Sequence, residues 1–338
     1  MTRFLARRVG TATLVLLGVS LVTFALARVI PSNPAALYIG PRARAEEIAR
    51  VTEELGLNRP LPVQYLDYMR DMLTGDWGTS IGTKRPVLSE ILDRLPATLE
   101  LLIAAMVIAV LVGTILGVLS AQWRGRPPDL AVRLVAIAGV SMPAFWLGLL
   151  LQVLFFRQLD LLPLSGRLDA DIRFLAPITD VTGFLTIDAL LQGNWVAFGD
   201  AAAHLVLPAV TLAAYPVGLI ARMTRASMLE ALGQDYVRSA RAFGIHERTV
   251  VYRLALRNAL PPTLTVLGLT LAYSLTGAFF VEIVFNWPGL GQFAVDALLN
   301  VDYPTVMGIA LLGATGYVVI NLVVDLAQAW LDPRVRLA

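Results

Sequence analysis

Long uninterrupted apolar runs dominate the chain, with little of the alternation that marks half-buried strands. Six runs carry few charges, at residues 9–30, 98–120, 130–156, 205–221, 263–284 and 306–328. A bilayer core of roughly 30 Å is crossed by about 20 residues of helix, so each run is a candidate span. Continuous apolarity argues for helices and against the period-two strands of a membrane barrel. The fourth run is interrupted by Pro208 and Pro216. The first follows Arg3, Arg7 and Arg8 and holds Ala25-Leu26-Ala27, as a secretory leader would. Its apolar stretch exceeds the roughly 7 to 15 residues of a leader core, so it is read as a spanning helix.

The connections are also patterned. In the outer stretch 31–96, helical spacing predicts a helix over 46–55, capped by Gly56, and a second over 61–73 after Pro60, together a small helical module. The stretch 157–204 predicts one short helix over 187–191. The inner stretch 222–262 has 41 residues, more than adjacent spans need. Within it, small residues at 239, 240, 242 and 244 would let another backbone approach closely. Residues 247–260 form a basic amphipathic helix that Pro261-Pro262 is expected to stop. Such a helix fits either anionic lipid headgroups or a cytoplasmic partner, and the pattern alone does not choose between them.

Composition narrows the function classes. Of 338 residues 57% are hydrophobic and only 15% charged, with mean hydropathy +0.69, which excludes a soluble enzyme, a disordered chain and a basic nucleic-acid surface. There is no cysteine, hence no disulfide, thiolate nucleophile or cysteine-held metal. Two histidines, His204 and His246, leave little for a metal centre, and none is expected. Lys84 is the only lysine, and it lies outside any Gly-Lys-Ser/Thr phosphate loop. With the N-terminus inside, the inner connections and tail hold 15 basic and five acidic residues, the outer ones 11 and 17, which predicts both termini in the cytoplasm. A pair of glycines, Gly113 and Gly117, suits close helix packing. Ion-driven transport normally buries carboxylates at the membrane midplane, and the spans lack them: Glu100, Glu282 and Asp325 lie near ends. A membrane enzyme would need a nucleophile and base or a metal set, and none is apparent.

The order of local motifs resembles one family almost end to end. These include Gly18-Val19-Ser20, Pro31-Ser32-Asn33-Pro34, Leu55-Gly56-Leu57, Gly75-Asp76-Trp77-Gly78 and Arg94-Leu95-Pro96-Ala97-Thr98. Further on come Pro143-Ala144-Phe145-Trp146, Trp287-Pro288-Gly289-Leu290-Gly291, Asp302-Tyr303-Pro304 and Leu331-Asp332-Pro333-Arg334. Together they resemble the permease subunits of ATP-binding-cassette importers, specifically the binding-protein-dependent peptide, oligopeptide and nickel group. Residues 236–244 are similar to that group's form of the EAA signature, with Ser239 for threonine and Phe243 for lysine, and Leu254 stands where a histidine is common.

The resemblance implies an all-α integral membrane protein with six spans of the type I importer permease fold. It implies an N-terminal helix and outer module over 1–97, a transmembrane domain over 98–328 with its coupling loop at 222–262, and a cytoplasmic tail at 329–338. The ATPase-coupling residues would be Arg238, Ser239, Ala240, Arg241, Ala242, Phe243, Gly244, Ile245, His246 and Glu247. Glu282 is a candidate on the substrate path, favouring a cationic group. The implied partners are a second homologous permease, two ATPases that bind ATP and magnesium, and an extracytoplasmic solute-binding protein at a bacterial inner membrane. No cofactor is expected on this chain, and no nucleic-acid partner.

Overall fold

The computed structural model describes residues 2–29, 44–54 and 56–331, and among these no strand forms beyond one bridge pair, Thr79 with Pro86. The motif residues 31–34, Leu55 and 332–334, and most of the tail at 329–338, lie outside the described residues, and the side chain of Asp325 is likewise not described. Contacts divide the chain into two units, 1–95 with 289–318, and 96–288 with 319–338.

In the first unit α1 is Thr2–Val29, α2 Ala45–Glu54 and α3 Leu61–Thr74. The predicted module helices are therefore present. Gly56 adopts the left-handed φ of +61° after α2, and Gly75 at +89° ends α3. Phe24 and Ala27 of α1 pack with Tyr65 and Tyr68 of α3 and with Tyr303 and Met307, and Ser20 Oγ lies 2.8 Å from Tyr65 OH. Most of the other described side chains along α1, including Leu14, Leu21 and Val22, are exposed, as a lipid-facing helix requires and a soluble one would not tolerate. Two separated motifs meet here. Ser80 and Thr305 both donate to Asp302 Oδ2, at 2.5 and 2.9 Å, and a Cβ on Gly78 would lie 3.6 Å from Pro304.

The second unit holds most of α4 (Val87–Gln122), then α5 (Pro127–Ser141), α6 (Ala144–Gln158), α7 (Ala170–Leu175), α8 (Leu185–Leu191), α9 (Trp195–Leu232), α10 (Asp235–Ala242) and α11 (Glu247–Val284). After α12 (Leu290–Leu299) of the first unit comes α13, Tyr303–Leu331, whose later part returns to the second. The core is a seam of small and branched residues: Leu101, Ala105 and Ala109 on α4, Ala209, Ala213 and Ile220 on α9, Ala278 and Val281 on α11. Gly113 and Gly117 are used within the chain, since a Cβ at Gly117 would sit 2.5 Å from Thr224 and 2.8 Å from the Ala221 carbonyl.

Among the described residues, five helices are long and apolar enough to cross a membrane, and a sixth crossing exists only if α5 and α6 form one bent span. The apolar run at 130–156 falls on this pair, which is bent by 113°. Pro143 lacks an N–H, and Met142 before it takes extended geometry at φ −82°, ψ 130°. One expectation changes. Pro261-Pro262 does not stop the amphipathic helix, because α11 runs through both prolines. Proline's φ near −65° is itself helical, and Ala255 and Ala259 are buried on α11 with Met228 and Ala231 of α9, which holds the segment in line. The inner stretch 222–262 is helical for most of its length, as its helix-forming sequence suggests: α9 continues to Leu232 through Pro208 and Pro216, and α11 starts at Glu247.

Candidate functional site

The site is the hairpin between α9 and α11, and its local sequence explains its shape. Helix α10 is amphipathic: Val237 and Ala240, one turn apart, are buried with Val250 of α11, flanked by Leu232 and Leu254. After Ala242 the chain must reverse, and Gly244 supplies φ +71°. Gly244 N–H donates to the Arg241 carbonyl at 3.0 Å and Ile245 N–H to that of Ala240 at 3.1 Å, the paired bonds of a Schellman ending. Arg241 then reaches across the turn to Glu247, with Nε to Oε2 at 3.1 Å and Nη2 to Oε1 at 2.6 Å. That partner holds the Arg241 guanidinium above its ordinary value through the hydrogen bonds. Both side chains are about half exposed, so this fork fixes the loop's geometry more than it stabilises the fold. His246 Nδ1 accepts from Arg248 N–H at 3.2 Å and starts α11.

Of the ten residues named from the sequence, Ala240 alone faces inward, and the other nine are exposed. Ser239, Ala242 and Gly244 do form an open small-residue surface, and nothing lies within 4 Å of a Cβ placed at Gly244. Phe243 is 86% exposed, with half-exposed Ile245 and Tyr236 close in sequence. The aromatic ring of Phe243 therefore lies in solvent, two residues after Arg241.

A support that sequence reasoning misses lies beneath the hairpin. Asp129, on the first turn of α5 and 2% exposed, accepts from Ser120 Oγ at 2.5 Å and from Gly125 N–H at 3.0 Å. Arg225 of α9 donates to both its oxygens, Nε at 2.9 Å and Nη2 at 3.0 Å. One carboxylate thereby locks α4, α5 and α9 at the end that carries the hairpin. A cavity of about 610 Å³ opens between the 121–126 turn and the hairpin, lined by Arg124, Arg126, Arg241 and Glu247 among others.

Glu282, named as a path residue, is fully buried in this chain, and Thr98 Oγ1 donates to its Oε1 at 2.6 Å. Glu100 is likewise enclosed, paired with Arg167 and accepting from Thr186. Trp287 is buried with its indole N–H on the Ala97 carbonyl at 2.9 Å, joining two motifs 190 residues apart.

Known proteins share this sequence almost throughout. Residues 113–337 match the family described as binding-protein-dependent transport system inner membrane component, and residues 1–102 match its N-terminal counterpart. The probable D,D-dipeptide transport system permease protein DdpB of Escherichia coli (strain K12) is 48% identical over 98% of this chain and 96% of its own. The di/tripeptide transport system permease protein DppB of Pseudomonas aeruginosa (strain UCBPP-PA14) is 45% identical over 99% of both. The glutathione transport system permease protein GsiC of Salmonella typhi is 39% identical over 95% of this chain and 94% of its own. Among solved structures, an amino acid ABC transporter with histidines aligns at 15% identity and TM-score 0.48, over 71% of this chain and 93% of the other.

Proposed function

The chain belongs to the binding-protein-dependent transport system inner membrane component family, and on that premise we propose that it is a permease subunit of an ATP-driven peptide importer. It carries no nucleotide site of its own and is not an enzyme; hydrolysis belongs to separate ATPase subunits. Di- and tripeptides or close analogues are the solute class, supported by the relatives' names. A second permease completes the pathway, an external binding protein delivers solute, and ATP with magnesium sits on two cytoplasmic partners. Both termini face the cytoplasm.

The observation that carries this reading is the helix continuity of α9 and α11 up to the hairpin. Helices α9 and α11 each have 38 residues, roughly 57 Å at 1.5 Å per residue, against a bilayer core of roughly 30 Å. The excess supports a hairpin held outside the membrane on two stiff levers. A partner that grips the exposed side of α10 then displaces the spans as rigid bodies, and its grip must differ between two states if it is to drive a change of access. Residues 238–247 are the coupling contact in this scheme.

The test reconstitutes the chain with its permease partner, ATPases and binding protein. Wild type is expected to hydrolyse ATP faster when loaded binding protein is added, and Gly244→Leu to lose that stimulation while remaining inserted. Full stimulation in the variant would contradict the coupling role. Uptake driven by a proton or sodium gradient with the ATPases absent would contradict the proposal itself.

A further inference from the structure

Three side chains of the second unit, Asp169, Asp200 and His204, stand apart from the coupling site, and their ligand atoms lie within 4.8 Å of one another. His204 is enclosed on α9, its side chain 1% exposed. Its Nδ1 lies 2.9 Å from the backbone carbonyl of Asp200 one turn earlier, which assigns the proton of the neutral ring to Nδ1 and leaves a lone pair on Nε2. That Nε2 has no hydrogen-bond partner among the described residues, and it faces Asp169 Oδ1 at 3.8 Å. Asp200 Oδ2 comes 3.4 Å from Nδ1 of the ring and accepts the backbone N–H of Asp169 at 2.8 Å, which ties the two aspartates together. Among the described residues neither has an arginine or lysine in ion-pair reach.

The imidazole is thus the only basic group of the described residues beside the two carboxylates. At 3.8 Å the approach of Asp169 Oδ1 to Nε2 is too wide for a hydrogen bond, and ligand atoms within 4.8 Å of one another surround a gap that one ion, about 2.0 to 2.2 Å from each ligand, would draw closed. The backbone bond to Nδ1 is also the usual way a protein orients a ligating imidazole.

We propose that Asp169, Asp200 and His204 form a site for one borderline divalent cation of the zinc class, with His204 Nε2 and one oxygen from each carboxylate as ligands. Imidazole with carboxylates selects such ions over calcium or magnesium. Asp169 immediately precedes α7, so the ion clips the stretch 157–204 to α9. The sequence points away from a metal, because Asp169 lies more than 30 residues before Asp200 and His204 and the cluster holds a single histidine.

The test is titration of the full-length chain, purified without a histidine tag, with cobalt(II) as a visible probe and zinc as competitor. Wild type is expected to bind one cobalt with d–d absorption, to release it to zinc, and to unfold at higher temperature with either ion. Asp169→Asn, at a side chain 67% exposed, is expected to keep the metal-free unfolding temperature and weaken binding at least tenfold; His204→Gln is expected to abolish it. Absence of d–d bands at stoichiometric cobalt, binding unchanged in both variants, or equal protection by calcium overturns the proposal. A cluster neutralised only by a proton on His204 would give the first of these results.

Discussion

At the scale of single residues, the buried charge that matters most is Asp129. Its partner Arg225 lies 96 positions away, so neither sequence spacing nor helical periodicity links the two. In the sequence each is simply a charge on an inner connection, whereas Gly244 and the arginines around it are legible because their structure is local. Replacing Asp129 by Asn keeps the shape but leaves the guanidinium without its counterion. Breaking a fully buried pair costs about 3 to 5 kcal/mol. Arg225 is 25% exposed, so about 2 to 3 kcal/mol is expected here after discounting for solvent. The readout is the thermal unfolding temperature of the purified chain, which should fall clearly in Asp129→Asn and by less in Ser120→Ala. An unchanged temperature would mean that this network does not hold the inner ends of α4, α5 and α9 together.

Helices show where apolar periodicity suffices and where it fails. Span positions are readable because a run of 20 apolar residues has few folded alternatives. Prolines mislead in both directions: Pro143 bends α5 against α6, while Pro208, Pro216, Pro261 and Pro262 lie inside continuous helices. A proline breaks a helix in isolation, but tight packing against neighbours decides the outcome in a bundle, and that packing is not written locally. The glycines test it. Gly117→Leu forces a side chain into Thr224 and the Ala221 backbone on α9, and such overpacking costs about 1 to 3 kcal/mol. Gly199 on the same α9 has nothing within 4 Å of a Cβ placed on it. Thus Gly117→Leu should lower the unfolding temperature and Gly199→Ala should leave it equal or slightly raised; equal effects would contradict the close α4–α9 seam.

For the whole molecule, composition and motif order are enough to reach the family, while the side of the hairpin that meets a partner requires the fold. The sequence offers ten coupling residues without ranking them; burial removes Ala240 from the surface and leaves the large apolar side chain of Phe243 86% exposed on it. Because the chain contains no cysteine, one thiol introduced there reports unambiguously. The decisive measurement is crosslinking of Phe243→Cys in the assembled importer with a short bifunctional maleimide, with and without ATP. The expected result is a crosslink to an ATPase subunit whose yield changes with nucleotide. A Phe243→Cys thiol that forms no such crosslink, or that an impermeant maleimide labels from outside intact cells, would contradict the assignment of this hairpin as the motor's point of attachment.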